Sequence, residues 1–343
     1  MQKELSIINE KIAGIVKVDH QLVNRSIGTL NDNVAFIKLS LNNTFSPRAL
    51  KAFLEIHSIP SNPKYAKWKV WFNSFPVTRE YKSNYSLTIK NQQHNIFVFD
   101  VTPIINRDIK RKTHKLVIKN IGSTAIYVGY VLLTVQLEAE NVETYHYYQV
   151  LTSECSYKSP CALSIPECTA YAKTQSRINA YHQSPPVEVL LSTSTWKERA
   201  LFPTRIVDLV IEGCVGNRIV IAPNSHENMY LLSVHSYASN YDRPQIDIKA
   251  TSTQKEREVE VEISVLNEGK ADAKNLMIVG ILYGNTLYGN TIYNKKLQAL
   301  GPGDVFTDKI TVEKPKTPTT IAIRAIWNEY GETIFKETKL NMS

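Results

Sequence analysis

The sequence predicts an all-β protein built from tandem antiparallel β-sandwiches. From Ala13 to the C terminus, short apolar or alternating segments follow one another, separated by turn residues. No segment sustains the i, i+3, i+4, i+7 spacing of an amphipathic helix. The 343 residues fit two or three domains of about 100 residues each.

The first sandwich is expected over residues 1–140, with residues 1–11 as a short helix or a flexible arm. Residues 67–72 alternate cleanly and are rich in aromatics, as in a half-buried strand. Residues 50–56 fit a helix or a strand, and we assign a strand. Residues 125–135 predict a strand buried on both faces, because this apolar run is about half as long as a membrane-spanning helix requires.

Two further sandwiches are expected, over residues 141–244, with a loop rich in Cys and Pro, and over residues 245–343. Residues 97–135 and 205–237 form a faint repeat of strand, loop, strand, turn and strand. This repeat reflects either a duplication or the general likeness of antiparallel meanders. The third sandwich opens at residues 258–265 with strict charged and apolar alternation, which indicates one solvated face.

Residues 246–340 carry two turn motifs, Asn267-Glu268-Gly269 and Leu300-Gly301-Pro302-Gly303, on either side of a strand at residues 279–283. In this they resemble the cell-adhesion-related immunoglobulin-like modules of archaeal and bacterial surface proteins. The resemblance implies an immunoglobulin-like sandwich that serves as a spacer or adhesive module without chemistry of its own.

Residues 68–73 (WKVWFN), 99–103 and 116–118 resemble the central strands of galactose-binding-like jelly rolls. The resemblance implies a jelly-roll fold, which in that class is often a carbohydrate binder and often purely structural. No sugar-contacting position carries over, because such positions lie in loops that do not match here.

The cysteines are Cys155, Cys161, Cys168 and Cys214. The C-x5-C-x6-C spacing is not that of a zinc site, and no C-x-x-C redox motif is present. Small buried thiols and one or two disulfides both remain open. Disulfides would indicate an extracellular setting or a hyperthermophilic host.

No sequence signature of an active site is found, so we predict a protein that is not an enzyme and needs no cofactor or metal. The sequence has no nucleophile motif and no phosphate-binding glycine loop. Its eight histidines are scattered singly, as surface or core residues are. A hydrolase with paired carboxylates stays open, since such pairs follow no local spacing rule.

Two features could bind a partner. Trp68 and Trp71 point to opposite faces of one strand, so one is expected in the core and the other as a sugar-stacking platform or in a subunit interface. A basic cluster either docks an acidic partner or is a solvated hairpin tip; it comprises Arg107, Lys110, Arg111, Lys112 and Lys115. It lacks the interleaved aromatics typical of single-strand binding, and no nucleic-acid partner is expected.

The function expected from these features is that of a non-enzymatic structural protein of an external surface. The net charge of +8 is mild, and neither a membrane span nor a signal peptide is visible. Virion proteins assemble without export, and the architecture is similar to turret proteins of archaeal icosahedral viruses. A virion spike or turret that forms homo-oligomers or contacts other structural proteins is therefore expected. The Ile, Lys, Glu and Tyr content suits a thermophilic host.

The alternative is a carbohydrate-binding or adhesion protein of a prokaryotic cell surface, with a surface glycan as ligand.

Overall fold

The computed structural model describes residues 5–28, 32–41, 46–150, 153–164, 172–193, 197–213, 218–224, 228–283, 289–313 and 319–342. The chain divides into two compact units, Met1–Tyr241 and Asp242–Ser343. Within the described residues, no helix is long and apolar enough to cross a membrane. The all-β class predicted from the strand patterns is confirmed.

The first unit begins with nine strands, a 3-10 turn at Pro63–Tyr65 and one short helix. They are β1 (Leu5–Ile27), β2 (Val34–Ser40), β3 (Ala49–Pro60), β4 (Trp68–Phe72), β5 (Phe75–Thr78), β6 (Tyr85–Ile89), β7 (Gln92–Asp100), α1 (Thr102–Arg107), β8 (Thr113–Asn120) and β9 (Ile126–Val150).

The unit continues with eight more strands. They are β10 (Glu154–Cys155), β11 (Cys161–Ser164), β12 (Ala172–His182), β13 (Val187–Ser192), β14 (Lys197–Phe202), β15 (Ile206–Glu212), β16 (Arg218–Pro223) and β17 (Met229–Tyr241).

These strands form two sandwiches of the same topology. In the first, the order β1-β9-β3-β7-β6 lies against β2-β8-β4-β5; in the second, β10-β17-β12-β15 lies against β11-β16-β13-β14. Because β17 also pairs with β9, the first sheet of each sandwich belongs to one continuous nine-stranded sheet. Apart from β6, each has the two four-stranded sheets of a jelly roll. The jelly-roll expectation for the first sandwich is met. The faint sequence repeat corresponds to a structural duplication, because β7, β8 and β9 occupy the places of β15, β16 and β17.

A long two-stranded ribbon joins the two jelly rolls. The 23 residues of β1 pair antiparallel along the 25 residues of β9, and the register breaks between Ala13 and Gly14, opposite residues 138–143 of β9. Tyr130 and Tyr148 of β9 both reach one carboxylate, Glu55. Eighteen residues of straight strand would span about 60 Å, so the ribbon must bend back at the register break. The two rolls therefore face each other.

Each roll has its own apolar core. In the first, Trp68 of β4 packs on Phe97 of β7 with ring centroids 4.3 Å apart, which joins its two sheets. In the second, residues from both sheets form one buried cluster that includes Val189 and Leu231. A disulfide between Cys155 and Cys161 lies in that cluster and links β10 to β11.

The second unit is a separate sandwich. Its strands are β18 (Ile246–Gln254), β19 (Glu258–Asn267), β20 (Ala273–Tyr283), β21 (Asn290–Lys296), β22 (Ala299–Leu300), β23 (Val305–Glu313), β24 (Thr319–Glu329) and β25 (Glu332–Met342). The sheet β18-β19-β23 lies against β21-β20-β24-β25, with β22 paired to β20. The second unit is therefore a two-sheet antiparallel β-sandwich.

The side chain of Asn267 joins the two turn motifs of the second unit. The side chain is fully buried, and its Nδ2 donates to the carbonyls of Ala271 and Leu300 at 2.8 and 2.9 Å. Its Oδ1 accepts from the Gly269 amide at 3.0 Å. The two turns are thus tied together by one amide side chain, which leaves none of its polar atoms unpaired.

The N-terminal part of the structure differs from expectation. Residues 5–11 are neither a helix nor an arm: they form the start of β1, because this segment pairs with β9 and buries Ile8. The expected boundary after residue 140 falls inside β9, which belongs to both jelly rolls. The strand assigned to residues 50–56 is confirmed within β3, and residues 126–135 are buried as expected.

Gly14 allows the close contact at the break in the ribbon, since a Cβ at this position would lie 2.1 Å from the carbonyl oxygen of Leu137. We expect Gly14→Ala to lower the free energy of unfolding by about 2–4 kcal/mol in urea denaturation. Gly28→Ala is the matched control, because its Cβ would meet only the Asp32 carbonyl at 3.6 Å. Equal effects of the two substitutions would contradict the role assigned to the break.

Candidate functional site

The outward face of the β2-β8-β4-β5 sheet combines aromatic and basic side chains. Trp68 points inward and is fully buried, so it is excluded as a surface ligand residue, whereas Trp71 is half-buried on the outer side. Register places Trp71 opposite Val117 of β8, and Val117 opposite Phe36 of β2. Phe36 is 78% exposed. These three residues form one apolar row across the sheet.

Lysines border the apolar row on both sides. Lys38 pairs with Lys115 on one side, and Lys69 pairs with Lys119 on the other. The four strands of this sheet contain no Asp or Glu. We call these seven residues the lysine–aromatic face: Phe36, Lys38, Lys69, Trp71, Lys115, Val117 and Lys119.

The basic cluster predicted from the sequence adjoins this face. Its side chains are exposed, and Arg107 lies over the ring of Phe75 with 4.7 Å between the guanidinium carbon and the ring centroid. Arg111 forms an ion pair with Asp108 at 2.9 Å. Lys115 is part of the face itself. The remaining members, Lys110 and Lys112, are exposed in the segment between α1 and β8. Lys115 is therefore shared by the basic cluster and the face that contains Trp71.

Sequence reasoning missed Phe36, Lys38 and Lys69. The signal was present in β2, whose pattern VAFIKLS places an aromatic residue on the solvated side of an alternating strand. Only the register across β8 shows that Phe36 and Trp71 share a row.

A second polar group lies buried where the two jelly rolls meet, and we call it the Glu55 cluster: Glu55, Tyr130, Tyr148, Ser233 and His235. The Glu55 carboxylate accepts from both tyrosines, from Ser233 at 2.8 Å and from His235 at 2.9 Å. Each carboxylate oxygen receives two donors. Burial opposes ionisation of Glu55, but these hydrogen bonds outweigh it and lower the pKa of the carboxyl group.

Histidines surround this cluster. Nε2 of His57 lies 3.1 Å from Nδ1 of His94, so one ring donates to the other. Nδ1 of His146 lies 3.0 Å from the amide of Gln136. Burial lowers the pKa of His94 to about 4 and that of His146 to about 3. Burial and the neighbouring His94 hold the pKa of His57 well below its usual range. These rings are therefore neutral at pH 7.

Of the cysteines, the structure joins Cys155 to Cys161, with Cα atoms 5.1 Å apart, whereas Cys168 and Cys214 lie outside the described residues. Of the alternatives that the sequence leaves open for these cysteines, this pair forms a disulfide. Within the described ranges, no three His, Cys, Asp or Glu side chains are grouped so that they could hold a metal ion.

No protein-family model and no curated protein matches the sequence. The fold is similar to parts of solved β-rich proteins. A Parabacteroides merdae β-glucuronidase matches 60% of this chain over 29% of its own length, at 9% identity and a TM-score of 0.26. A Dictyoglomus thermophilum β-D-glucuronidase matches 99% over 44%, at 9% identity and 0.21. A DUF4785 family protein from Legionella pneumophila matches 99% over 92%, at 10% identity and 0.25. The chain spans less than half the length of either glucuronidase.

The buried histidines predict an acid-sensitive first unit. Their folded pKa values lie below 6.5, so the unfolded chain binds protons that the folded chain excludes, and stability falls as pH falls from about 6.5 towards 4. All eight histidines precede residue 242, so the second unit serves as an internal control. Between about pH 7 and pH 5, scanning calorimetry should show a falling transition for the first unit and a constant one for the second.

A variant that lacks one of these histidines tests whether they cause the fall in stability. His94→Gln retains a side chain that can hydrogen-bond to His57 but removes one titrating group, and we expect a shallower fall with pH. An unchanged slope in this variant, or parallel shifts of both transitions, would contradict the assignment.

Proposed function

We propose that this protein is a non-enzymatic structural component of an external surface, and specifically of a virion spike or turret, that acts through protein–protein assembly. The observation that carries the proposal is the pair of jelly rolls fused by β1 and β9. Jelly rolls are the fold of many viral capsid domains and also of lectin domains. This support is an analogy of fold, which many functions share.

The sealed contact between the rolls also supports a structural role. Strands that run through both rolls leave no flexible linker between them, and the Glu55 cluster fills the contact with paired polar groups. Such an arrangement favours one fixed geometry of the two rolls, because separating them would expose a carboxylate that has lost its donors. A fixed geometry suits a protein whose task is to hold a position in an assembly.

The same cluster argues against a hydrolase built on Glu55. A catalytic carboxylate must reach its substrate, yet this side chain is 1% exposed and already accepts from four donors. The cluster therefore supports a role in stability instead of catalysis.

A second candidate function, carbohydrate binding or adhesion at a prokaryotic cell surface, is favoured by the lysine–aromatic face. Half-exposed tryptophan and exposed phenylalanine are side chains on which sugar rings stack. This candidate is compatible with the first, since a surface protein can both assemble and attach.

The assembly proposal predicts a closed oligomer of the full chain. Size-exclusion chromatography with light scattering should give a defined multiple of 38.9 kDa, and negative-stain microscopy should show rings. A monomer at every soluble concentration would overturn the proposal.

Glu55→Gln separates a structural role from a catalytic one. We expect it to lower the free energy of unfolding of the first unit by about 3 kcal/mol, because a buried charged partner is lost. Glu154→Gln, which alters an exposed carboxylate 3.1 Å from the Tyr230 hydroxyl, should change it by less than about 1 kcal/mol. Hydrolysis of aryl glycosides by the wild type, lost in Glu55→Gln but kept in Glu154→Gln, would instead identify an enzyme.

A further inference from the structure

We propose that the lysine–aromatic face binds a linear acidic polysaccharide, one whose pyranose rings carry carboxylate or sulfate groups. The inference rests on the second candidate function, carbohydrate binding, and names its ligand class; it is independent of the assembly function. It follows from the composition of the face, from the spacing of its aromatic residues and from a comparison with the second jelly roll.

The composition of the face indicates an anionic ligand with apolar ring surfaces. Four lysines flank the apolar row, and the absence of acids from the four strands leaves the lysines without a partner on their own sheet. A ligand along the row would place its rings on Phe36 and Trp71 and its anionic groups beside the lysines. The adjoining Arg107 and Lys110 extend the positive charge beyond one end of the sheet.

The spacing of the aromatics favours sugar over nucleic acid. Phe36 and Trp71 are two strands apart, which corresponds to about 9–10 Å. Stacked bases follow one another at about 3.4 Å, so two neighbouring bases could not use both platforms. In an extended glycan, alternate rings present the same face, and they are separated by about the width of two strands. The face also contains lysine but no arginine, the residue that nucleic-acid sites favour.

The area of the face favours a chain-like ligand over a globular protein. Four strands span about 20 Å across the sheet, and the strands are four to eight residues long, or about 13–26 Å. The resulting area of about 400 Å² is half of what one partner buries in a standard protein interface. A linear polymer, by contrast, would contact the whole apolar row while leaving the rest of its length free.

The second jelly roll shows that the fold does not require such a face. Its corresponding sheet, β11-β16-β13-β14, carries Glu188 and Glu198 among its basic residues. No aromatic row crosses its described strands. Because the two sheets share one topology, the side chains of the first are a feature of that sheet and not of the jelly roll.

The test uses the full chain and isothermal titration calorimetry with three polymers: polygalacturonate, heparin and uncharged dextran. We expect binding of at least one acidic polymer and no binding of dextran. Polygalacturonate alone would identify carboxylate as the recognised group, and heparin alone would identify sulfate. The double variant Phe36→Ala/Trp71→Ala should weaken binding at least about tenfold. Lys38→Gln/Lys115→Gln should weaken it and flatten its dependence on salt.

Controls on the second jelly roll make the result specific. Leu201 is 69% exposed, and Lys197 is exposed on the same strand, so Leu201→Ala and Lys197→Gln remove matched side chains outside the face. Both should leave binding unchanged, and all variants should keep the wild-type melting temperature and oligomeric state.

Failure of both acidic polymers to bind, or unchanged binding by Phe36→Ala/Trp71→Ala, would overturn the proposal. Tighter binding of oligothymidylate than of either acidic glycan would overturn it in favour of nucleic acid. Loss of the oligomer in Phe36→Ala/Trp71→Ala would show that the face contacts a second copy and would also overturn it. A monomeric wild type that binds an acidic glycan would refute the assembly function while supporting the present inference.

Discussion

The Glu55 carboxylate is the constraint on which the arrangement of the first unit depends. It lies on β3 of the first jelly roll and accepts hydrogen bonds from both halves of β9 and from β17 of the second roll. A buried carboxylate is tolerated only where donors surround it, and these donors come together only when the β1–β9 ribbon is bent. Ribbon, bend and contact between the rolls are thus mutually dependent. Histidines whose pKa values are lowered by burial complete the polar contact.

Because the jelly roll occurs twice, comparing the two copies distinguishes the features that the fold requires from those that belong to one surface. Both rolls use the same strand order, and each buries an apolar core. Their outer sheets differ, since only the first carries an aromatic row bordered by lysines. The polar groups of the unit therefore occupy two places: the Glu55 cluster lies buried between the rolls, and the lysine–aromatic face lies on an outer sheet.

In the second unit, a single neutral side chain joins two turns. One buried amide, Asn267, ties two turns of this sandwich together. Its sequence contains no histidine, and its core is a cluster of apolar side chains. A single chain thereby combines two jelly rolls that contain buried histidines with a β-sandwich whose sequence has none.

The sequence by itself determined the all-β class, the strands at residues 67–72 and 258–265, and the opposite orientations of Trp68 and Trp71, because alternation of side chains along a strand is a local property. It could not place residues 5–11, whose strand exists only through pairing with β9. The tertiary structure alone decided that β9 serves both rolls, that Glu55 meets His235 across 180 residues, and that Phe36 lines up with Trp71. Each of these depends on strand register and on the bend of the ribbon, which are set by long-range pairing and leave no periodic signal in the sequence.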